Sequence, residues 1–144
     1  MTRSLLAVLC IALVSGGCSK SGPSEPSPTP DGIPEVESND VTPQALGTLG
    51  TGDIRVNGTC GGSDVDWYSI AVTSATNFHV SVDWGSGDLD LGIADGNGIM
   101  LTFRDTGGKP ERCTLTALSP GTYRVRVTAK GGPVVPYVLT IGPR

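Results

Sequence analysis

LSPGTYRVRVTA, residues 118–129, decides the fold. Ser119, Pro120, Gly121 and Thr122 suit a tight turn with Pro and Gly at its centre. From Tyr123 the chain alternates: Tyr123, Val125, Val127 and Ala129 fall on one side of a strand, Arg124, Arg126 and Thr128 on the other. A strand with one apolar and one wet face belongs to a sheet packed on a core.

The same period recurs outward in both directions. Phe78, Val80, Val82 and Trp84 oppose His79, Ser81 and Asp83; Leu89, Leu91 and Ile93 repeat the pattern, and Tyr137, Leu139 and Ile141 close the domain. Residues 54–57, 67–72, 100–103 and 112–118 bring the expectation to about eight strands. Asp95, Gly96, Asn97 and Gly98 suit a hairpin that needs positive φ. No stretch after the leader sustains a 3.6-residue period. Tyr123, following the Pro-Gly turn, resembles the tyrosine corner of Greek-key sandwiches. The expected fold is all-β: an antiparallel β-sandwich, jelly-roll or Greek-key-like, with two sheets over one core.

The 144 residues divide into three parts. Residues 1–17 read as a lipoprotein-type signal peptide, with Arg3 ahead of an apolar run that is too short to span a bilayer. Ser15, Gly16 and Gly17 before Cys18 resemble a lipobox, although Ser15 stands where Leu is commonest; Cys18 is the lipidation candidate. Ordinary secretory cleavage is the alternative. Ser19 rather than Asp after the cysteine points to the outer membrane if the source is diderm. Residues 18–33 are rich in Ser and Pro and read as a lipid-anchored tether, semi-extended at about 3.1 Å per residue where it is polyproline-like. Residues 34–144 are the sandwich. The location expected is the cell envelope, or otherwise the medium.

Cys10 lies in the leader, so the domain keeps Cys60 and Cys113. Two leftover cysteines in an exported chain are expected to pair, and closing a loop of about 54 residues contributes roughly 4 kcal/mol. Removing Arg3 with the leader leaves nine basic residues against fourteen acidic ones. Such a surface repels phosphate backbones, so nucleic acid is excluded as a partner.

Two acidic clusters carry the candidate chemistry, EVESND (residues 35–40) and GSDVDWYSI (residues 62–70). Their carboxylates and one amide are oxygen donors of the kind a hard cation selects. Glu35, Glu37 and Asn39 would face one side of an extended segment. The residues alone also read as a solvated acidic stretch in which Asn39 or Asp40 caps a turn and DVDWY starts a strand with its carboxylates in water.

Together with GDLDLGI, DGNG, LSPGTYRVRV and a final YVLTI, these two blocks resemble the bacterial pre-peptidase C-terminal domain, relatives of which are the collagen-binding domains of clostridial collagenases. The resemblance covers residues 35–141 and implies a jelly-roll-like sandwich that binds calcium. It implies Glu35, Glu37, Asn39 and Asp40 as one set of Ca²⁺ ligands, and Asp64 and Asp66, whose spacing matches less closely, as the other. Asp88 and Asp90 form a second D-x-D that reads as the wet face of a strand.

No enzyme is expected. Asp105, Thr106 and Gly107 spell the D-T-G of aspartic peptidases, yet Arg104 precedes them and Gly108 and Lys109 continue into a turn. His79, the single histidine, lies on the polar side of a strand with no G-x-S-x-G elbow. The function expected is a non-catalytic, lipid-anchored binding or targeting module for an extracellular polymer or envelope protein, with calcium as stabiliser. A structural envelope lipoprotein without metal is the alternative, and an unrecognised hydrolase the remote one.

Overall fold

A computed structural model describes residues 31–144; the leader, Cys18 and the tether as far as residue 30 lie outside the described residues. Ten strands follow one another: β1 (Ile33–Pro34), β2 (Gln44–Thr48), β3 (Ile54–Cys60), β4 (Val65–Val72), β5 (Thr76–Trp84), β6 (Leu89–Asp95), β7 (Met100–Arg104), β8 (Glu111–Leu118), β9 (Gly121–Ala129) and β10 (Val135–Pro143). They form two five-stranded sheets, ordered β1-β3-β10-β5-β8 and β2-β4-β9-β6-β7.

Strands β3 to β10 are the eight expected from the alternating pattern. Without β1 and β2 the sheets read β3-β10-β5-β8 against β4-β9-β6-β7, which is the order of a jelly roll. Phe78, Val80, Val82, Leu89, Leu91, Ile93, Val125, Val127, Leu139 and Ile141 fill the space between the sheets and are all buried. Each such side chain stabilises the fold by about 1.5–3 kcal/mol relative to exposure. The Tyr123 hydroxyl donates to the Ser119 carbonyl at 2.8 Å, so the expected corner forms. Asp95 accepts from the amides of Asn97 and Ile99, both at 2.9 Å, and shapes the DGNG hairpin around Gly98 at φ +87°.

Three expectations are corrected. Among the described residues the strands number ten, because the lead-in contributes β1 and β2. The sheets are mixed rather than purely antiparallel, because β1 pairs in parallel with β3 (Ile33 opposite Val56) and β2 in parallel with β4 (Gln44 opposite Tyr68). The expected Cys60–Cys113 disulfide is absent, and both thiols are free and buried. Cys60 ends β3 and Cys113 lies on β8, with β10 and β5 between them. Three strand spacings are about 14 Å, whereas a disulfide needs Cα atoms within about 7 Å.

Candidate metal centre

Strands β3 and β4 are consecutive in the chain but lie in opposite sheets, joined by residues 61–64 at one corner of the sandwich. The lead-in adds β1 to the free edge of β3 and β2 to the free edge of β4, so residues 35–43 must cross between the sheets at that side. This crossing brings EVESND over GSDVDWYSI.

Glu35 leaves β1 with its amide donating to the Asn57 carbonyl at 3.0 Å. Its carboxylate then takes over where the strand stops: Oε2 accepts from the Thr59 amide at 2.9 Å, and Oε1 accepts from the hydroxyls of Tyr68 at 2.6 Å and Tyr137 at 3.0 Å. Gln44 staples the crossing, donating through Nε2 to the Pro34 carbonyl and accepting from the Val36 amide at 2.9 Å. Asn39 is 1% exposed; its amide nitrogen donates to Glu37 Oε2 at 3.2 Å and its Nδ2 to Glu35 Oε1 at 3.3 Å. The Val65 amide, at the start of β4, donates to Asp40 Oδ1 at 3.4 Å.

Asp66 is fully buried, on the same inward parity of β4 as Tyr68, Ile70 and Val72. Its Oδ2 accepts from the Tyr137 hydroxyl at 2.7 Å, and Tyr137 and Tyr68 oxygens lie 2.5 Å apart. Four oxygen–oxygen contacts among Glu35, Tyr68, Tyr137 and Asp66 thus share two phenol protons. A further proton or a cation is what lets all of these oxygens approach one another.

All six sequence-nominated residues come together. Carboxylate oxygens of Glu35, Glu37 and Asp66 lie within 4.8 Å of one another, as do those of Glu37, Asp40 and Asp64, so Glu37 belongs to both groups. Asn39 is bonded to Glu35 and Glu37 between them. Among the described residues no Lys or Arg forms an ion pair with any of the five carboxylates. Burial pushes the Asp66 carboxyl up to about 8, helped by the charges of Glu35, Asp64 and Glu37 and opposed by the Tyr137 hydrogen bond. Burial likewise pushes Asp64 up to about 6, with Asp40 and Glu37 adding to the effect. The oxygens Asn39 Oδ1 and Asp66 Oδ1 are buried with no hydrogen-bond partner. Orphaned buried acceptors in an all-oxygen, anionic donor set fit a hard divalent cation, whose charge and coordination satisfy both defects.

The reading of DVDWY as a strand start with both carboxylates in water does not hold for Asp66. Sequence reasoning also missed three neighbours. These are the buried phenols of Tyr68 and Tyr137, and Cys60, expected in a disulfide, whose sulfur lies within 4.8 Å of Asp64 and Asp66 oxygens. The signal available was parity: Asp66 shares its strand face with Tyr68 and Ile70. The other nominated acids lie elsewhere. Lys130 Nζ lies 3.7 Å from Asp88 and 3.9 Å from Asp90, and also pairs with Asp105 of the D-T-G stretch. His79 lies 3.7 Å from Asp53. Buried Glu111, which the sequence did not mark, accepts from the Leu91 amide at 3.2 Å and from the Thr106 amide and hydroxyl at 2.6 and 2.9 Å, holding the D-T-G loop to β6.

Residues 64–129 match the family model of the bacterial pre-peptidase C-terminal domain. That segment contains Asp64 and Asp66 and begins after Glu35, Glu37, Asn39 and Asp40. Among solved structures the chain is similar to the pre-peptidase C-terminal domain of collagenase from Bacillus anthracis, at 19% identity and a TM-score of 0.56, over 68% of this chain and 92% of that one. It is also similar to PliG of Aeromonas hydrophila, a periplasmic inhibitor of g-type lysozyme, at 16% identity and a TM-score of 0.53, over 70% of this chain and 98% of that one. At such identities the likeness is one of fold. No curated protein is significantly similar in sequence to this chain.

Proposed function

We propose, from the match of residues 64–129 to the bacterial pre-peptidase C-terminal domain family, that the chain is a non-catalytic, extracytoplasmic binding module whose lead-in segment is clamped to the sandwich by calcium. The observation that carries this reading is Asp66: a fully buried carboxylate with an unpartnered oxygen, in a cluster with four more carboxylates of which none forms an ion pair with Lys or Arg among the described residues. Glu35, Glu37 and Asp66 would hold one ion, Glu37, Asp40 and Asp64 a second, and Asn39 Oδ1 is a further donor. Bound calcium supplies the positive charge that five crowded carboxylates lack. The protein's part is to tie residues 35–40 to β3 and β4, which stiffens the side of the sandwich on which the chain arrives.

The partner class is an extracellular polymer or an envelope protein. A sandwich of this fold serves in Aeromonas hydrophila as an inhibitor of g-type lysozyme, and in Bacillus anthracis it accompanies a collagenase. Those likenesses support binding as the use of the fold and do not select a partner. Attachment to a lipid at Cys18, behind a leader of residues 1–17, is part of the proposal. Mass analysis of the exported protein's N-terminal peptide is expected to find diacylglycerol on a terminal Cys18; an unmodified peptide beginning elsewhere removes the anchor.

Calcium titration followed by thermal melting tests the clamp. Saturation a hundredfold above Kd should stabilise the fold by about 2.7 kcal/mol, and the midpoint should keep rising with the logarithm of free calcium. Glu37→Ala combined with Asp40→Ala should abolish the rise. No shift at millimolar calcium would eliminate the metal. The hydrogen bonds from Thr59, Tyr68 and Tyr137 to Glu35 would then hold the lead-in alone, and the structural reading without metal would stand.

A further inference from the structure

With pairing to Cys113 ruled out, Cys60 is a buried thiol at the inner end of the carboxylate cluster. Residues 61–64 fold β3 back towards β4, and this sets Cys60, Asp64 and Asp66 side by side. Cys60 Sγ and one carboxylate oxygen from each of Asp64 and Asp66 lie within 4.8 Å of one another, and Sγ is 3.6 Å from the Asp64 carbonyl oxygen. Asp66 is 0% exposed, and its Oδ1 is buried with no hydrogen-bond partner. We infer that Cys60, Asp66 and Asp64 form a binding site for a thiophilic divalent cation, of which Cd²⁺ and Zn²⁺ are the representatives.

The chemistry separates this site from the oxygen-only groups. Calcium gains little from sulfur, whereas zinc and cadmium prefer a thiolate and accept carboxylate oxygens beside it. Around zinc, with bonds of about 2.0–2.3 Å, neighbouring ligand atoms stand about 3.5 Å apart. A contraction of roughly 1 Å, within reach of the half-exposed Asp64 side chain, brings the three atoms to that spacing. As the metal–sulfur bond forms, the thiol proton leaves to water. Because Asp64 and Asp66 also belong to the groups proposed for calcium, the two kinds of ion compete.

The inference does not require that calcium bind. It is tested on the chain carrying Cys10→Ser, Cys18→Ser and Cys113→Ser, in which Cys60 is the sole thiol. Titration with Cd²⁺ should produce the ultraviolet thiolate-to-cadmium charge-transfer band, saturating at one equivalent, with a cadmium NMR shift of mixed sulfur and oxygen ligation. Asp66→Asn, which keeps the thiol, should weaken Cd²⁺ binding about tenfold or more, and Cys60→Ser should remove the band. The absence of a band at millimolar Cd²⁺ in protein that melts cooperatively would overturn the assignment, as would a band indifferent to Asp66→Asn. A cadmium band without a calcium melting shift would leave this site and remove the calcium clamp; the opposite pair of results would do the reverse.

Discussion

Asp66→Asn is expected to raise the melting temperature of the calcium-free protein at pH 8 by about 5–10 °C while abolishing its response to calcium. The substitution keeps the shape of the side chain. Its Oδ1 can still accept from the Tyr137 hydroxyl, and its Nδ2 supplies the donor that the surrounding carboxylates lack. The charge that burial and three neighbouring acids penalise is gone.

The sign follows from the two protonation states. Burial lifts Asp66 from 3.8 to about 8 and Asp64 from 3.8 to about 6. Below about pH 4 both groups are protonated whether the chain is folded or not, and they contribute nothing to the pH dependence. As the pH rises, the unfolded chain releases these protons first, so folding stability falls through pH 6 for Asp64 and on to pH 8 for Asp66, then levels off. Calcium-free protein should therefore melt lower at pH 8 than at pH 5, and under the proposed clamp calcium should offset most of that loss by binding the ionised groups. In Asp66→Asn the fall should end near pH 6. Melting curves in chelator at pH 5, 6.5 and 8 check this, and a wild-type midpoint that rises with pH would contradict it.

Gly58→Ala carries the second large effect. Gly58 lies on the inward side of β3 directly opposite Tyr137 on β10. A methyl group there would overlap the phenol carbon and oxygen of Tyr137, which is 2% exposed and has nowhere to retreat. Overpacking costs about 1–3 kcal/mol, and displacing the hydroxyl from Asp66 and Glu35 adds about 1–3 kcal/mol. A loss of about 3 kcal/mol in urea unfolding is expected, accompanied by weaker calcium binding. Gly50→Ala, with nothing within 4 Å of the added carbon, is the control and should stay within about 0.5 kcal/mol of wild type. If Gly58→Ala matched that control, the phenol would not be positioned by β3.

Strands β3 to β10 were legible because alternation over five or more residues reports a sheet with one buried face, and the turns between them carry Pro, Gly, Asn and Asp where positive φ or a fixed φ is needed. β1 and β2 were not. Ile33–Pro34 is too short to show a period, and both strands exist through parallel pairing with the edges of β3 and β4, which only the tertiary arrangement reveals. The acids of the cluster were recognisable by type and spacing, whereas the burial of Asp66 showed only in its parity with Tyr68 and Ile70, against the default that places a strand carboxylate on the wet face. The error over Cys60 and Cys113 has the same origin: leftover cysteines pair only if the strand order lets them meet. In a jelly roll, β3 and β8 stand at opposite sides of one sheet.

The parallel ladder of β1 has a mechanical corollary. Any pull transmitted from the chain ahead of Asp31 arrives at Ile33 and Pro34, whose ladder along β3 is two residues long and yields readily. Tension then passes to residues 35–40, where resistance comes from the links joining them to β3 and β4. The acidic corner is thereby a buckle in line with the strap, and under the proposed calcium clamp the force needed to peel residues 31–43 from the body would track the free calcium around it.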